Sequence, residues 1–204
     1  SPGNVSFVPV AGAMGVDMVG AWMGFAVGDY DGDSDLDVFV TNIGFHPLFL
    51  EPRDKPSGIC SYSMLFAWGT CSHFLLRNDG THEIPGIGIV GDFTDVAPYT
   101  SVDPSPLMPP ESLDPSKLRH GQEALTGLAA YDFGFGATFF DFDNDSDQDL
   151  YWLGSTIARG QGRGGDLFPA AGRMLRADGQ GGFEDITVRA HLLDIQDFDY
   201  SSVD

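Results

Sequence analysis

Short apolar runs, each bounded by Gly or Asp, recur along this chain and predict β-strands. The same arrangement surrounds two acidic loops, with one apolar run leading into each loop and another leading out of it. Runs of this length between turn-forming residues are typical of buried strands. The predicted strands are Gly24–Gly28 and Val38–Thr41 around the first loop, and Ala137–Phe140 and Leu150–Leu153 around the second. Each loop is therefore predicted to join the two strands of a β-hairpin.

Two further strand patterns repeat along the chain. Residues 75–80 and 174–179 both contain Leu-Arg and end in Asp-Gly, which is a turn signal. Residues 7–11, 93–97 and 183–187 all begin with Phe and carry Val or Ile at the fourth position. The predicted order of elements in each full unit is therefore strand, acidic loop, strand, spacer, Leu-Arg strand, turn and Phe strand. This order predicts an all-β fold with a four-stranded antiparallel sheet built twice.

The repeats predict a single domain that contains two full units. The predicted boundaries are 1–21 for the last strand of a preceding unit, 22–97 for the first full unit with a Cys-bearing insertion at 43–72, 98–131 for a Pro-rich insertion, 132–188 for the second full unit, and 189–204 for the start of a further unit. The insertion at 98–131 is expected to lie on the surface. Its residues 115–130 are predicted to form one short helix, with Asp114 as the N-cap and Pro115 at the first position.

The two acidic loops each contain five carboxylates in nine residues. Alternate side chains of an extended chain point the same way, so these carboxylates would repel each other unless a cation lay among them. Calcium takes about six to eight oxygen ligands, and carboxylates at loop positions 1, 3, 5 and 9 with one backbone carbonyl would supply most of them. Gly32 and Asn144, both at position 4, tolerate the left-handed backbone that wrapping an ion requires. Two calcium sites are therefore predicted, one at Asp29, Asp31, Asp33, Asp35 and Asp37 and the other at Asp141, Asp143, Asp145, Asp147 and Asp149.

Two other interpretations of the loops are less favoured. A single acidic run is often a solvated surface turn, but two copies in the same register favour a bound ion. A helix–loop–helix calcium site needs a Glu at position 12 of its loop, where Val40 and Trp152 stand in this chain.

Composition and charge exclude several classes of function. Of 204 residues 42% are hydrophobic and 12% aromatic, as in a folded protein. The net charge of −20, with 10 basic residues, argues against a nucleic-acid partner and against an anionic bilayer. No apolar run approaches the roughly 18 residues that a membrane-spanning helix needs. Because the sequence has no initiator Met and no signal-peptide pattern, we expect a mature product or a fragment.

Cys60 and Cys71 lie in a stretch rich in Gly, Ser and Pro. A disulfide between them would indicate an oxidising compartment and would stabilise the fold by about 3 kcal/mol. Two free, buried cysteines remain the alternative. Calcium modules of low affinity also favour a location outside the cytoplasm, because they fill where free calcium is near the millimolar range.

The remaining motifs do not predict catalysis. Residues 86–91 and 160–165 have the glycine spacing of a dinucleotide-binding loop, but neither lies between a strand and a helix. The five histidines are scattered without metal-site spacing, and no nucleophile elbow is present. The paired carboxylates of the loops would be committed to the ion rather than to acid–base chemistry.

The first unit combines Gly24–Val40, with its alternating Asp loop, with Leu-Arg-Asn-Asp-Gly and Phe-Thr-Asp-Val-Ala, and the second unit repeats the pattern. These motifs resemble the FG-GAP/VCBS repeat, which builds the β-propellers of integrin α-subunits and of proteins similar to cartilage acidic protein. The resemblance implies that each unit is one propeller blade with calcium bound between its first two strands. It also implies side-chain ligands from Asp29, Asp31, Asp33 and Asp37 and from Asp141, Asp143, Asp145 and Asp149, with backbone carbonyls from Asp35 and Asp147.

The chain departs from that family in two respects. Ser34 and Ser146 stand at loop position 6, which is often Gly in the family. If the backbone there is left-handed, each Ser costs about 1 kcal/mol. Two blades also do not close a ring of about four to eight. We therefore expect either a part of a longer propeller or sheet edges covered by something else.

The sequence predicts a calcium-stabilised, non-catalytic binding or adhesion module that lies in the extracellular space, at the cell surface or in the periplasm. Its partner would be a protein or a glycan. The first alternative is a structural subunit that contacts neighbouring subunits of a larger cell-surface or membrane-associated assembly without inserting in the membrane. The second is an accessory domain of a secreted enzyme.

Overall fold

The computed structural model describes residues 6–18, 22–42, 60–62, 69–107, 110, 125–131, 134–154 and 172–192, with only the backbone described at 60–62 and 69–71. This part of the chain is all-β apart from one 3-10 helix, Gly127–Ala130. Its strands are β1 (Trp22–Gly28), β2 (Asp37–Asn42), β3 (Cys60–Tyr62), β4 (Gly69–Cys71), β5 (Phe74–Ile84), β6 (Gly88–Asp95), β7 (Val102–Asp103), β8 (Ala137–Phe140), β9 (Asp149–Trp152), β10 (Arg173–Ala177) and β11 (Phe183–Asp185).

The first sheet has the spatial order β1-β2-β5-β6, and every neighbouring pair is antiparallel. This confirms the four-stranded sheet predicted for the first unit. The expected turn at Asp79-Gly80 is wrong, because β5 and β6 keep pairing beyond it and the chain turns at residues 85–87. The pairing register shifts between Asn78 and Thr81, and Gly80 has a φ of 96°. The Asp-Gly pair is thus an irregularity within a long hairpin.

The second sheet has the order β7-β11-β10-β9-β8. Its strands β8 to β11 form the predicted antiparallel arrangement. The prediction of a purely antiparallel four-stranded sheet is nevertheless wrong for this unit, because β7 pairs parallel with β11 and gives a mixed, five-stranded sheet. The added strand comes from the predicted insertion, where the N–H of Phe183 also donates to the carbonyl of Ser101 at 2.9 Å.

The end of the Pro-rich insertion belongs to the core. Leu128 and Tyr131 are fully buried, and the N–H of His73 donates to the carbonyl of Tyr131 at 3.2 Å. The expectation that this insertion lies wholly on the surface is therefore wrong, because its last residues cover the apolar junction of the two sheets. Most of the predicted helix at 115–130, including Asp114 as its cap, lies outside the described residues.

One face of the first sheet packs on one face of the second, and the edge strands β1 and β8 lie in contact. The core between them includes Phe39, Leu75, Leu150 and Trp152, all fully buried. Close approach depends on glycine: a Cβ on Gly24 would lie 2.1 Å from the carbonyl oxygen of Phe135. This contact places the loops that follow β1 and β8 beside each other.

Within the described ranges the sheets form no closed ring, and no helix has the length and hydropathy to span a membrane. Residues 6–10 have no assigned strand. In the separate β3–β4 pair, Cys60 lies directly opposite Cys71, a backbone register that suits the predicted disulfide. The Gly-rich segment predicted at 155–172 lies almost wholly outside the described residues, as does the end of the chain from residue 193.

Candidate metal centres

The first loop brings Asp29, Asp31 and Asp37 together. Each offers a carboxylate oxygen, and these oxygens lie within 4.8 Å of one another. Asp29 follows the end of β1 and Asp37 begins β2, so the hairpin itself holds the two ends of the loop in place. The three residues form a cluster that could hold a metal ion.

The second loop reproduces this cluster with Asp141, Asp143 and Asp149. The same three loop positions, 1, 3 and 9, contribute, and the same limit of 4.8 Å applies to their oxygens. Asp141 follows β8 and Asp149 begins β9. The repeated sequence therefore produces repeated geometry.

The carboxylate at position 9 is buried and ties each loop to its sheet. Asp37 accepts hydrogen bonds from the backbone N–H of Tyr30 at 3.2 Å and from that of Asn78 at 2.8 Å. Asp149 accepts the corresponding bonds from Phe142 and Ala177, both at 2.9 Å. One bond closes the loop and the other reaches the third strand of the sheet. Each oxygen keeps a further lone pair that an ion could use.

The carboxylate at position 1 organises the middle of each loop. Asp29 Oδ2 accepts the N–H of Ser34, and Asp141 Oδ2 accepts that of Ser146, both at 3.0 Å. Asp29 Oδ1 is buried and has no hydrogen-bond donor. A buried carboxylate oxygen without a donor is costly unless a cation compensates it.

The other predicted ligands lie outside the two three-residue clusters. Asp33 and Asp145 each accept the N–H of the residue two positions later, at 2.8 and 3.0 Å. These local bonds leave the second oxygen of each carboxylate available. The family resemblance implies backbone carbonyl ligands from Asp35 and Asp147, and the side chains of these two residues lie outside the clusters found in the described residues.

The loop backbone is left-handed at positions 4 and 6. Gly32 and Asn144 have φ values of 75° and 63°, which confirms the conformation predicted at position 4. Ser34 and Ser146 have φ values of 77° and 79°. The condition for strain at position 6 is therefore met in both loops.

Burial, and then repulsion between neighbouring carboxylates, raises the pKa of several carboxyl groups in the metal-free loops. Burial raises the pKa of Asp37 to about 6, and the hydrogen bonds from Asn78 and Tyr30 oppose part of this rise. Burial also raises the pKa of Asp149. The pKa of Asp31 is raised by burial and then by the neighbouring Asp33 charge. A bound cation would favour the ionised form of these carboxyl groups, because an opposite charge nearby lowers the pKa of a carboxyl group.

The structure also brings the two loops together, which the sequence analysis missed. A Cβ on Gly28, just before the first loop, would lie 2.0 Å from Oε1 of Gln148 in the second loop. The turn between β10 and β11 touches both loops: a Cβ on Gly179 would lie 2.7 Å from an Asp147 oxygen, and one on Gly181 would lie 3.6 Å from the Asp31 Cβ. The only signal in the sequence was that glycines stand at these positions.

Comparison of the chain with protein-family models, with curated proteins and with solved structures gave no significant match.

Proposed function

We propose that the chain is a calcium-stabilised binding module of the FG-GAP/VCBS type, with one calcium ion in each Asp loop. The observation that carries the proposal is the pair of matching carboxylate clusters, at Asp29, Asp31 and Asp37 and at Asp141, Asp143 and Asp149. Two loops that share the ligand positions, the hydrogen bonds of the position-9 carboxylate and the left-handed backbone at positions 4 and 6 support a common ligand.

Calcium suits these loops better than magnesium. Each loop brings together carboxylates from positions 1, 3 and 9, and in this proposal position 5 adds a carboxylate and position 7 a backbone carbonyl. Calcium accepts a larger and less regular oxygen shell than magnesium. The buried Asp29 Oδ1 without a donor supports a cation at the first loop. An ion that binds only the folded chain at about a hundred times its Kd adds about 2.7 kcal/mol to stability.

In this proposal each sheet is one blade of a β-propeller and has no catalytic role of its own. The side-by-side packing of β1 and β8 supports the blade interpretation, because adjacent inner strands meet in this way in a radial array. The opposed positions of Cys60 and Cys71 and the low-affinity character of such loops support a location outside the cytoplasm. The ligand would be a protein or a glycan.

A second candidate, a structural subunit of a larger assembly, is favoured by one specific observation. The first sheet leaves large apolar side chains exposed on β1, among them Phe25 and Val27. Contiguous exposed apolar surface marks contact sites for other proteins.

Calorimetric titration of the chelator-treated chain with calcium tests the proposal. We expect two calcium ions per chain, a higher melting temperature in calcium, and weaker binding of magnesium. Asp31→Ala and Asp143→Ala should each remove one site, while Asp103→Ala, outside both loops, should leave both. Absence of calcium binding, or a stoichiometry unaffected by both loop variants, would contradict the proposal.

A further inference from the structure

Among the described residues, two buried side-chain oxygens have no hydrogen-bond donor. One is Asp29 Oδ1 in the first Asp loop, and the other is Gln148 Oε1 in the second. The remaining buried side-chain atoms without a partner in this part of the chain are nitrogens. A buried acceptor that has lost its water without gaining a donor is costly, so each of these oxygens requires an explanation such as a bound ion.

Gln148 reaches from the second unit to the start of the first loop. A Cβ on Gly28 would lie 2.0 Å from Gln148 Oε1, so the amide oxygen occupies the space beside the residue that precedes Asp29. The same Cβ would lie 3.0 Å from Cβ and Cδ2 of Phe139, so an apolar side chain borders this space. The oxygen is therefore enclosed in the junction of the two sheets, next to the first loop.

The internal repeat shows that a polar residue is not needed at this position. With Asp29 matched to Asp141, Gln148 stands at loop position 8, where the first loop has Leu36. Position 8 is not one of the predicted ligand positions of its own loop. A leucine there would bury no oxygen, so the second loop carries an unpaired acceptor at the point where it contacts the other unit.

The two loops also differ at position 1. Asp141 Oδ1 accepts the N–H of Asp145 at 3.1 Å, so both oxygens of this carboxylate have donors. In the first loop only Oδ2 of Asp29 has a donor, the N–H of Ser34. The uncompensated carboxylate oxygen thus occurs in the loop that Gln148 contacts and not in the loop to which Gln148 belongs.

The turn between β10 and β11 holds the second unit against the same loop. The ring of Tyr30 stacks on that of Phe183, with centroids 6.3 Å apart. A Cβ on Gly181 would lie 3.6 Å from the Asp31 Cβ. The first loop is therefore in contact with the second unit along its first three positions, and these contacts keep Gln148 beside it.

We propose that the first calcium site is shared between the two units, with the Gln148 amide oxygen as a ligand from the second unit, bound directly or through one water. This role rests on the proposed function, because it needs calcium in the first loop. In that proposal the loop supplies oxygens from positions 1, 3, 5, 7 and 9, which leaves room in a shell of roughly six to eight ligands, and Gln oxygens are among the usual ligands of calcium.

A shared ion links calcium binding to the packing of the sheets. Its ligands then lie on both units, so the ion binds best when the junction is closed. By linkage, calcium in the first loop stabilises the closed junction by the same factor. The second calcium site lacks this role, because Gln148 extends away from its own loop to Gly28.

Calorimetric titration with calcium tests the shared site in chains that keep one site each. The Asp143→Ala chain keeps the first site and the Asp31→Ala chain keeps the second. Added to the first background, Gln148→Leu should weaken calcium binding about tenfold or more, as loss of a supporting group does at other metal sites. Added to the second background, it should have no effect. Leu36→Gln, the reverse change at the matching position, is the control and should leave both affinities unchanged.

Gln148→Glu distinguishes an oxygen ligand from an amide N–H donor. Glutamate keeps the oxygen but cannot donate, so in the Asp143→Ala background it should bind calcium at least as tightly as the parent chain. If the amide instead donated to Asp29, the new carboxylate would repel Asp29 and weaken calcium binding as much as Gln148→Leu does.

Thermal melts of the two Gln148 variants give a second readout, in which calcium reverses their order. In chelator Gln148→Leu should not lower the melting temperature, because it removes an oxygen without a donor, whereas Gln148→Glu should lower it by adding a charge beside Asp29. In calcium Gln148→Glu should recover and Gln148→Leu should melt below the wild type. A purely structural glutamine would give the same loss in both conditions.

The outcomes separate this proposal from the one on which it rests. If the Asp143→Ala chain binds no calcium, the first site does not exist and both proposals fail for this loop. If it binds calcium equally well with and without Gln148→Leu, the calcium site stands and the shared ligand is wrong. An effect of Gln148→Leu in the Asp31→Ala background alone, or equal weakening by Gln148→Leu and Gln148→Glu, would also overturn it.

Discussion

The backbone N–H of Asn78 donates a 2.8 Å hydrogen bond to Oδ1 of Asp37, so the last residue of the first Asp loop is tied directly to the third strand of its sheet. The second unit repeats the relationship between Ala177 and Asp149. The position-9 carboxylate thus has two roles, because it supports the sheet as well as offering a ligand oxygen.

Removal of the Asp37 carboxylate should therefore affect the stability of the chain differently from removal of the Asp31 carboxylate. Asp37→Ala leaves the buried N–H of Tyr30 and the partly buried N–H of Asn78 without their acceptor, and it should lower stability by about 1–3 kcal/mol even in chelator. Asp31→Ala should lower the melting temperature in calcium but not in chelator, where it relieves repulsion from Asp33. Thermal melts of both variants in both conditions give the comparison. Equal losses for the two variants in chelator would contradict the dual role of Asp37.

Calcium affinity should fall as the pH falls through about 6. Burial raises the pKa of Asp37 to about 6 in the metal-free protein, and a protonated carboxyl must lose its proton to bind the ion. Above this range Asp37 is already ionised and affinity should level off. Titrations at several pH values, in buffers of different ionisation enthalpy, measure both affinity and proton release. An affinity independent of pH between about 5 and 7 would exclude this coupling.

His73 should make the stability of the chain fall as the pH falls, without any contribution from calcium. Burial, and then the nearby Arg173 charge, lowers the pKa of His73 to about 3. Between this value and the unfolded value of about 6.5, the unfolded chain binds the extra proton, so stability rises with pH by up to about 1.4 kcal/mol per unit. His73→Asn removes this dependence. The measurement is the difference in unfolding free energy between wild type and variant, in chelator, as the pH is lowered. A constant difference would show that His73 does not titrate in this way.

The strained serines offer a gain in stability. Ser34→Gly and Ser146→Gly should each stabilise the chain by at most about 1 kcal/mol, because relief of the left-handed strain exceeds the added entropy of the unfolded chain. Ser101→Gly is the control. Ser101 does not have a positive φ, so this variant should be less stable than the wild type. Chemical denaturation of the three variants measures their unfolding free energies. A lower unfolding free energy in both loop variants than in the wild type would argue against strain at position 6.

The glycines of the sheet junction should differ in their tolerance of a methyl group. Gly24→Ala forces a Cβ to within 2.1 Å of a backbone oxygen and should cost about 1–3 kcal/mol. Among the described residues, a Cβ on Gly136 would meet only Leu153 Cδ1 at 3.8 Å, so Gly136→Ala should leave the unfolding free energy nearly unchanged. Similar losses for both variants would mean that the junction is not packed as described.

Local chemistry explains which features the sequence could predict. The clusters at Asp29–Asp37 and Asp141–Asp149 lie within single short segments, so the spacing of carboxylates was enough to find them. Strands such as β8 were visible because apolar runs end at Asp or Gly. By contrast, β7 contains two residues and has no periodicity of its own, so its pairing with β11 depends on where the rest of the chain brings it.

The candidate metal centres also combine local features, which the sequence predicts, with contacts between distant residues, which it does not. Gly28 and Gln148 are far apart in sequence, and only the packing of β1 on β8 makes them neighbours. Asp79-Gly80 failed as a turn because the strands on either side continued to pair, and this long-range hydrogen bonding outweighed the local preference.

Trp152 is fully buried where the two sheets meet, with the rings of Phe39, His73 and Tyr131 at centroid distances of 5.1 to 5.6 Å. Any event that separates the sheets must transfer this indole from an aromatic enclosure to water. Its fluorescence would then shift to longer wavelength. In a variant that carries Trp22→Phe and Trp68→Phe, this shift would report the opening of the sheet junction in a stopped-flow instrument without an added label.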